Sequence, residues 1–393
     1  MLLLALVLTQ CDDDNGFEPL SFTYQVMYPE GYTKAQAEGA EVTLTNNETD
    51  ETQSEQSDEN GLVTFDEVVP GSYDIEVELE LDSDRALELT GTAESITLQY
   101  FDSSVDLEQE SDSPMSLQLS GSEVGSLVFK EVYYTGSETE DEGVYFNDQF
   151  HEIYNNSNET LYADGLYLAD VYGVSGQINP GSEPTPFQGD EDHVYLSTVW
   201  QFPGGGQDYP IEPGESIIVA QTAQDHQSNP DLNPNSPVDL GDADFETYVE
   251  REDDRDINNP DVTNMVRKYY NAGFTWLVPV FGPGLVLFEA DSFDELNMEP
   301  VPGQDPEYPD RVQLPVEYVV DSFEALQNED SGDFMRIPST LNSGFISADG
   351  TYTSQSARRT VVDEVEGRKI LQNTNNTGND FEIIDTPTPG SFD

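Results

Sequence analysis

Cysteine, histidine and basic residues are the scarce materials of this 393-residue chain, which has one Cys, three His and 13 Lys and Arg. A single thiol, Cys11, excludes an intramolecular disulfide and any zinc site built from several thiolates. Three imidazoles, His151, His193 and His226, leave little material for a metal centre or a catalytic triad. The shortage of cations is sharper: 80 Asp and Glu give a formal net charge of -67. Nucleic-acid binding needs basic clusters that displace counterions, and the densest here, Arg267-Lys268, Arg358-Arg359 and Arg368-Lys369, are small and embedded in acid. That class is excluded. The apolar run at the amino terminus, Leu2 to Leu8, falls well short of the roughly 20 residues that cross a bilayer as a helix.

What is present argues for folded domains. High net charge with low hydrophobicity would mean disorder, but 19 Phe, 20 Tyr and 2 Trp recur in alternating segments and supply core material. The length suits two or three domains. An acidic surface of this kind is a salt-adapted one, because the Debye length falls from ~10 Å at 0.1 M salt to ~3 Å at 1 M and mutual repulsion falls with it.

Alternation predicts short strands. In "GAEVTLTN" Val42 and Leu44 oppose Glu41, Thr43 and Thr45. In "GLVTFDEVVPGSYDIEVELEL" Tyr73, Ile75, Val77 and Leu79 face one way, and Asp74, Glu76, Glu78 and Glu80 the other. Pro70-Gly71 marks the turn between its two strands. Asn46 to Asn60 reads as an acidic loop, Asp102 to Pro114 as a polar patch, and Ser120 to Gly125 as a linker. Asp225 to Asn264, rich in Asp, Asn and Pro, reads as a long surface excursion. "MVRKYYNAGFTWLVPVFGPGLVLFEA" reads as a pair of core strands turning at Gly282-Pro283-Gly284, with a lipid or ligand platform as the alternative.

The stretch "LVLTQCDDDNG" resembles a bacterial lipobox, in which the cysteine is lipidated and the leader cut just before it. Gln10 stands where a small residue is usual. The resemblance implies a signal peptide over 1–10, lipidation at Cys11 and an acidic tether over 11–19. Two acyl chains anchor a protein stably, at roughly 0.8 kcal/mol per buried methylene. "DDDN" resembles the export signal of Bacteroidota surface lipoproteins. It also resembles the start of a calcium loop, but the glutamate such a loop needs at its twelfth position is Thr23 here.

Gly61, Phe65, Pro70, Gly71 and Tyr73 resemble the pattern of the transthyretin-like or carboxypeptidase-regulatory β-sandwich, implying a spacer-like domain over 20–120. "GSLVFKEVYYTG", "YPIEPGESIIVAQ" and the closing segment with Arg358, Asn373 to Asn376, Asp380-Phe381 and Thr388 to Gly390 resemble a lamin-tail domain. That resemblance implies an immunoglobulin-like sandwich over 126–393 with insertions. Together these features resemble an uncharacterised family of Bacteroidota lipoproteins, known as domains of unknown function. The expected molecule is all-β, with two immunoglobulin-like β-sandwich domains in tandem. It is lipid-anchored, non-enzymatic and exposed on the outer membrane, and the resemblance implies an association with an outer-membrane transport system.

Chemistry-bearing groups are few. His151 reads as a satisfied, half-buried strand histidine. His193 after Asp190-Glu191-Asp192, and His226 after Asp225, would supply a metal site from Asp190, Asp192, His193, Asp225 and His226 if their loops met, making the chain a metal-dependent hydrolase. No nucleophile elbow accompanies any histidine. "FPGGGQDYP" lacks the Lys and Ser/Thr of a phosphate loop and reads as a flexible turn. Calcium is the more plausible cation, at Asp190–Asp192, Asp239–Asp244 and Asp253–Asp261, where it would rigidify an adhesion module; a solvated acidic face is the plainer reading. The sequons at Asn47, Asn155, Asn158 and Asn375 read as polar turns.

Overall fold

A computed structural model describes residues 20–29, 32–49, 51–81, 85, 86, 89, 96–107, 113–119, 127–157, 159–252, 255–270, 273–365 and 367–392. Cys11, its leader and tether, the linker at 120–125 and Asn158 lie outside the described residues. The chain is all-β and divides into two compact units, one of residues 1–79 and 100–119, the other of 80–99 and 120–393.

The strands between Leu20 and Gln118 form two sheets. One is ordered Leu62–Val68, Leu20–Met27, Met115–Gln118; the other Thr52–Gln56, Glu41–Asn46, Gly71–Leu81, Ile96–Leu107. The alternation decides which face goes inward. Val42 pairs with Val77 and Leu44 with Ile75, all buried, while Glu41 opposite Glu78 and Thr43 opposite Glu76 point to water. The turn at Pro70-Gly71 joins strands of different sheets rather than a hairpin. Gly61 has φ +73°, and a Cβ there would run into the Val26 carbonyl, so this corner requires glycine. Two loop expectations are corrected. Thr52–Gln56 is an edge strand whose five residues are all exposed, and the polar patch begins inside the strand Ile96–Leu107. A strand wet on both faces needs no apolar alternation and leaves no periodic signal.

The carboxy-terminal unit is a β-sandwich of two seven-stranded sheets. The first runs Thr263–Asn264, Phe245–Glu246, Ser216–Ala220, Phe150–Asn155, Leu127–Tyr133, Ser356–Arg359, Phe381–Ile384. The second runs Asn297–Glu299, Arg311–Pro315, His193–Gln201, Tyr167–Val171, Gly284–Phe288, Val319–Glu324, with Val266–Tyr270 pairing on the far half of His193–Gln201. Phe129, Ile153, Val219 and Phe381 from the first sheet share one core with Leu168, Trp200, Leu287 and Phe323 from the second. Pro213-Gly214 turns into the strand Ser216–Ala220 as expected, with Gly214 at φ +80°.

The outer faces are covered as well. Residues of the 225–264 segment, Val238, Leu240, Ala243 and Val262, pack on Tyr133, Phe150 and Ala220. Its short strands Phe245–Glu246 and Thr263–Asn264 extend the first sheet in parallel. The expected surface excursion is therefore a layer of the fold. Its asparagines and aspartates close turns: Asn233 Nδ2 donates to the Glu138 carbonyl, and Asn259 Nδ2 to those of Ala223 and Gly241.

Candidate functional site

The apolar segment 265–290 departs most from its expected form. Val266–Tyr270 and Gly284–Phe288 belong to one sheet but do not pair with each other; they lie on either side of the central strands His193–Gln201 and Tyr167–Val171. Between them the described residues 273–283 run as a loop with two characters.

Half of the loop is fixed inside. Trp276 is buried, its Nε1 donating to Asp170 at 2.9 Å and its ring meeting His151 at 5.3 Å and Trp200 at 6.2 Å. Val278 exchanges two hydrogen bonds with the Gln149 side chain, 3.2 Å from its own N–H and 3.0 Å to its carbonyl. Tyr270 Oη donates to the Thr275 carbonyl, and Gln221 Nε2 to the Thr275 hydroxyl. Gly282, at φ +122°, lies so close to Ala325 that a Cβ would collide with its carbonyl, and its own carbonyl accepts from Arg336. Arg336 is in turn held by a buried ion pair with Glu324.

The other half faces water. Phe274, Leu277 and Phe281 are 38%, 37% and 39% exposed, beside exposed Pro279. Arg255 lies over the Phe274 ring at 5.3 Å, and Arg251 donates to the Gly273 carbonyl. Two aromatic rings and a leucine thus stand in solvent on a backbone that cannot collapse to hide them. Pre-organisation of this kind lowers the ordering entropy of binding. Exposed apolar side chains on one loop are candidates for a contact surface. The segment was expected to be a pair of core strands, with a lipid or ligand platform as the alternative; its strands are in the sheet, and the loop between them has both buried and exposed apolar residues. No polar residue punctuates Phe274-Thr275-Trp276-Leu277-Val278 in a way that tells inward from outward positions.

The residues expected to carry chemistry are elsewhere and separately occupied. His193 begins a strand of the second sheet, its Nδ1 3.2 Å from Asp190, which also accepts from Tyr195 Oη at 2.6 Å and the Asp192 backbone. His226 lies in the layer on the first sheet. Burial depresses its pKa to about 4, and the neutral ring accepts from Tyr145 Oη while Nε2 donates to the Thr222 carbonyl. Asp225 accepts from the backbone of Gln227 and Ser228. Among the described residues no group of three or more His, Cys, Asp or Glu is arranged to hold a metal, so the expected five-residue site is not assembled.

The acidic loops use their carboxylates locally: Asp239 caps Gly241, Asp244 caps Ile218 and Asp256 caps Val249. His151 is fully buried rather than half-buried, Nδ1 has no partner, and burial pushes its pKa down to about 3. The glycine-rich turn is held, not flexible, since Gly206, Asp208 and Tyr209 all donate backbone N–H groups to the Asp164 carboxylate. Asn155 is buried with its amide bonded to the carbonyls of Glu159 and Ile211.

With this geometry in place, the chain can be compared with known proteins. Residues 212–388 match DUF4876, a protein of unknown function. The DUF4876 match spans the covering layer, the apolar loop and the closing strands. Over 93% of its length the chain is similar to the crystal structure of a DUF4876 family protein from Bacteroides thetaiotaomicron, at 27% identity and a TM-score of 0.60, covering 95% of that chain. A fimbrial assembly protein from Parabacteroides distasonis overlaps 52% of this chain and 97% of its own at 11% identity, with a TM-score of 0.17, too slight for a comparison of folds. No curated protein matches. The sequence resembled an uncharacterised Bacteroidota family, and both the matching family model and the similar Bacteroides structure are of a family of unknown function.

Proposed function

We propose that the chain is a non-catalytic binding or accessory protein of the cell envelope. Lipid at Cys11 holds it to the membrane, and the loop 273–283 of its carboxy-terminal unit is its contact surface. One observation carries the reading. Phe274, Leu277 and Phe281 are kept partly exposed by a backbone whose intervening residues, Thr275, Trp276 and Val278, are locked into the core. The dispersal of the three histidines, each with its own surroundings, supports binding over catalysis. The lipobox resemblance supports the envelope location, and the wider family resemblance supports an outer-membrane transport system as the partner's setting.

Two variants test the two halves. Cys11→Ser should leave the protein unprocessed and release it from the membrane fraction; normal size and membrane attachment would contradict the anchor. Phe274→Asp with Leu277→Asp should leave the circular dichroism spectrum and melting midpoint unchanged. It should also abolish co-purification of the protein's envelope partner, and retention of that partner would contradict the contact surface.

A further inference from the structure

The strand Val266–Tyr270 precedes the contact loop in sequence and lies on a margin of the second sheet. It pairs on one side with His193–Gln201, through Thr198↔Tyr270, Val199↔Tyr269, Trp200↔Arg267 and Gln201↔Val266. Among the described residues no strand pairs with its other side. An open strand edge presents N–H and C=O groups that an added extended segment can pair with.

Basic residues gather on this strand and beside its loop. Of the 13 basic residues, Lys130, Arg311, Arg336 and Arg359 are buried. Four others lie on this strand or beside its loop: Arg267, exposed, lies over Tyr270 at 5.4 Å, Lys268 over Phe293 at 5.8 Å, Arg255 over Phe274 at 5.3 Å, and Arg251 bonds to Gly273. Basic residues on an edge strand usually guard it against pairing by repelling a like-charged neighbour. In a chain of net charge -67 the same residues attract acidic segments, so they do not serve as a guard against its own kind.

We propose that the open edge of Val266–Tyr270 and the adjoining loop bind an extended, acidic polypeptide segment of a partner, added as a strand, with its apolar side chains against Phe274 and Leu277. The proposal rests on the reading of that loop as a contact surface and adds the partner's chemistry. A polypeptide fits better than an anionic membrane. Strand pairing needs a backbone that lipid lacks.

The test uses the full chain in detergent and a fluorescent ten-residue peptide alternating Glu with Val and Phe. It is compared with the same peptide carrying Lys for Glu, and with a form N-methylated on alternate residues. The Glu peptide should bind, the other two should bind at least tenfold more weakly, and Arg267→Glu should cost tenfold or more with an unchanged melting midpoint. Arg255→Gln, a milder change, should weaken binding severalfold. Equal binding of the Glu and Lys peptides, binding of the N-methylated form, or no effect of either substitution would overturn the proposal. So would capture of phosphatidylglycerol vesicles through Arg267 in the absence of peptide binding. Partner contact that depends on Leu277 but shows no preference for the Glu peptide removes this inference and leaves the contact surface standing.

Discussion

Asp170 lies beneath the contact loop and accepts from Trp276 Nε1, and burial raises its carboxyl pKa to about 6 despite that bond, one from Thr198 and the charge of Arg311. An unfolded aspartate titrates near 3.9, so the folded chain holds this proton more tightly. Stability from this group is present below pH ~4 and is lost as pH rises through about 6. Asp148, also about 6, and Glu246, about 7, act in the same sense. His226 and His151 act oppositely. Their pKa values of about 4 and about 3 lie below the unfolded ~6.5, so their contribution is present above pH ~6.5 and lost on acidification. Asp170→Asn should therefore gain roughly 1 kcal/mol less stability than the parent between pH 7.5 and pH 5, read from melts at the two pH values. An equal gain would contradict the burial argument. Arg359 gives a second contrast. It is buried between Asp321 and Asp380 and also donates to the Phe129 carbonyl, so Arg359→Met leaves two carboxylates uncompensated and should cost ~3–5 kcal/mol in denaturant unfolding. Arg358, paired with Glu382 at the surface, should cost under ~1 kcal/mol on the same change. The sequence marked both arginines as one basic spot. Only the fold separates them, just as nothing local distinguishes Asp170 among 80 acidic residues.

Elements were legible where one face is buried and the other wet. Gly71–Leu81 alternates as its composition demands, and Glu41–Asn46 matches it across the pair. Where both faces share one environment the pattern is silent. Leu127–Tyr133 is buried throughout, Lys130 and Glu131 included, because Lys130 pairs with Glu152 at 2.7 Å and Glu131 accepts from Thr388. Turn chemistry was half legible. The sequence gives "FPGGGQDYP" the freedom of glycine but cannot show Asp164, some 40 positions earlier, filling the ring of N–H groups that an external anion would otherwise seek. Asp164→Ala should raise hydrogen exchange at 204–209 with a melting midpoint shifted by only a few degrees; protection unchanged there would contradict the carboxylate's role. Gly61→Ala should be costlier, ~1–3 kcal/mol, because it adds a left-handed backbone penalty to a collision with Val26.

At the scale of the whole molecule the charge is the dominant fact. A surface of -67 repels itself, and added salt screens that repulsion, so the melting midpoint should rise between 0.05 M and 1 M NaCl; a flat or falling response would contradict the salt-adapted reading. The all-β architecture follows from aromatic supply and alternation, whereas the layer formed by 225–264 does not, since its Asn, Asp and Pro read as surface. The proposed contact surface does not either, because the exposure of its three side chains depends on what their neighbours are tied to. The most direct test is photo-crosslinking in intact envelopes from a benzoyl-phenylalanine placed at Leu277, at Phe281, and, as control, at Gly303, an exposed turn of the same unit. The account predicts one discrete adduct from 277 and 281 and none from 303; no adduct at 277 and 281, or the same adducts at all three, would contradict it.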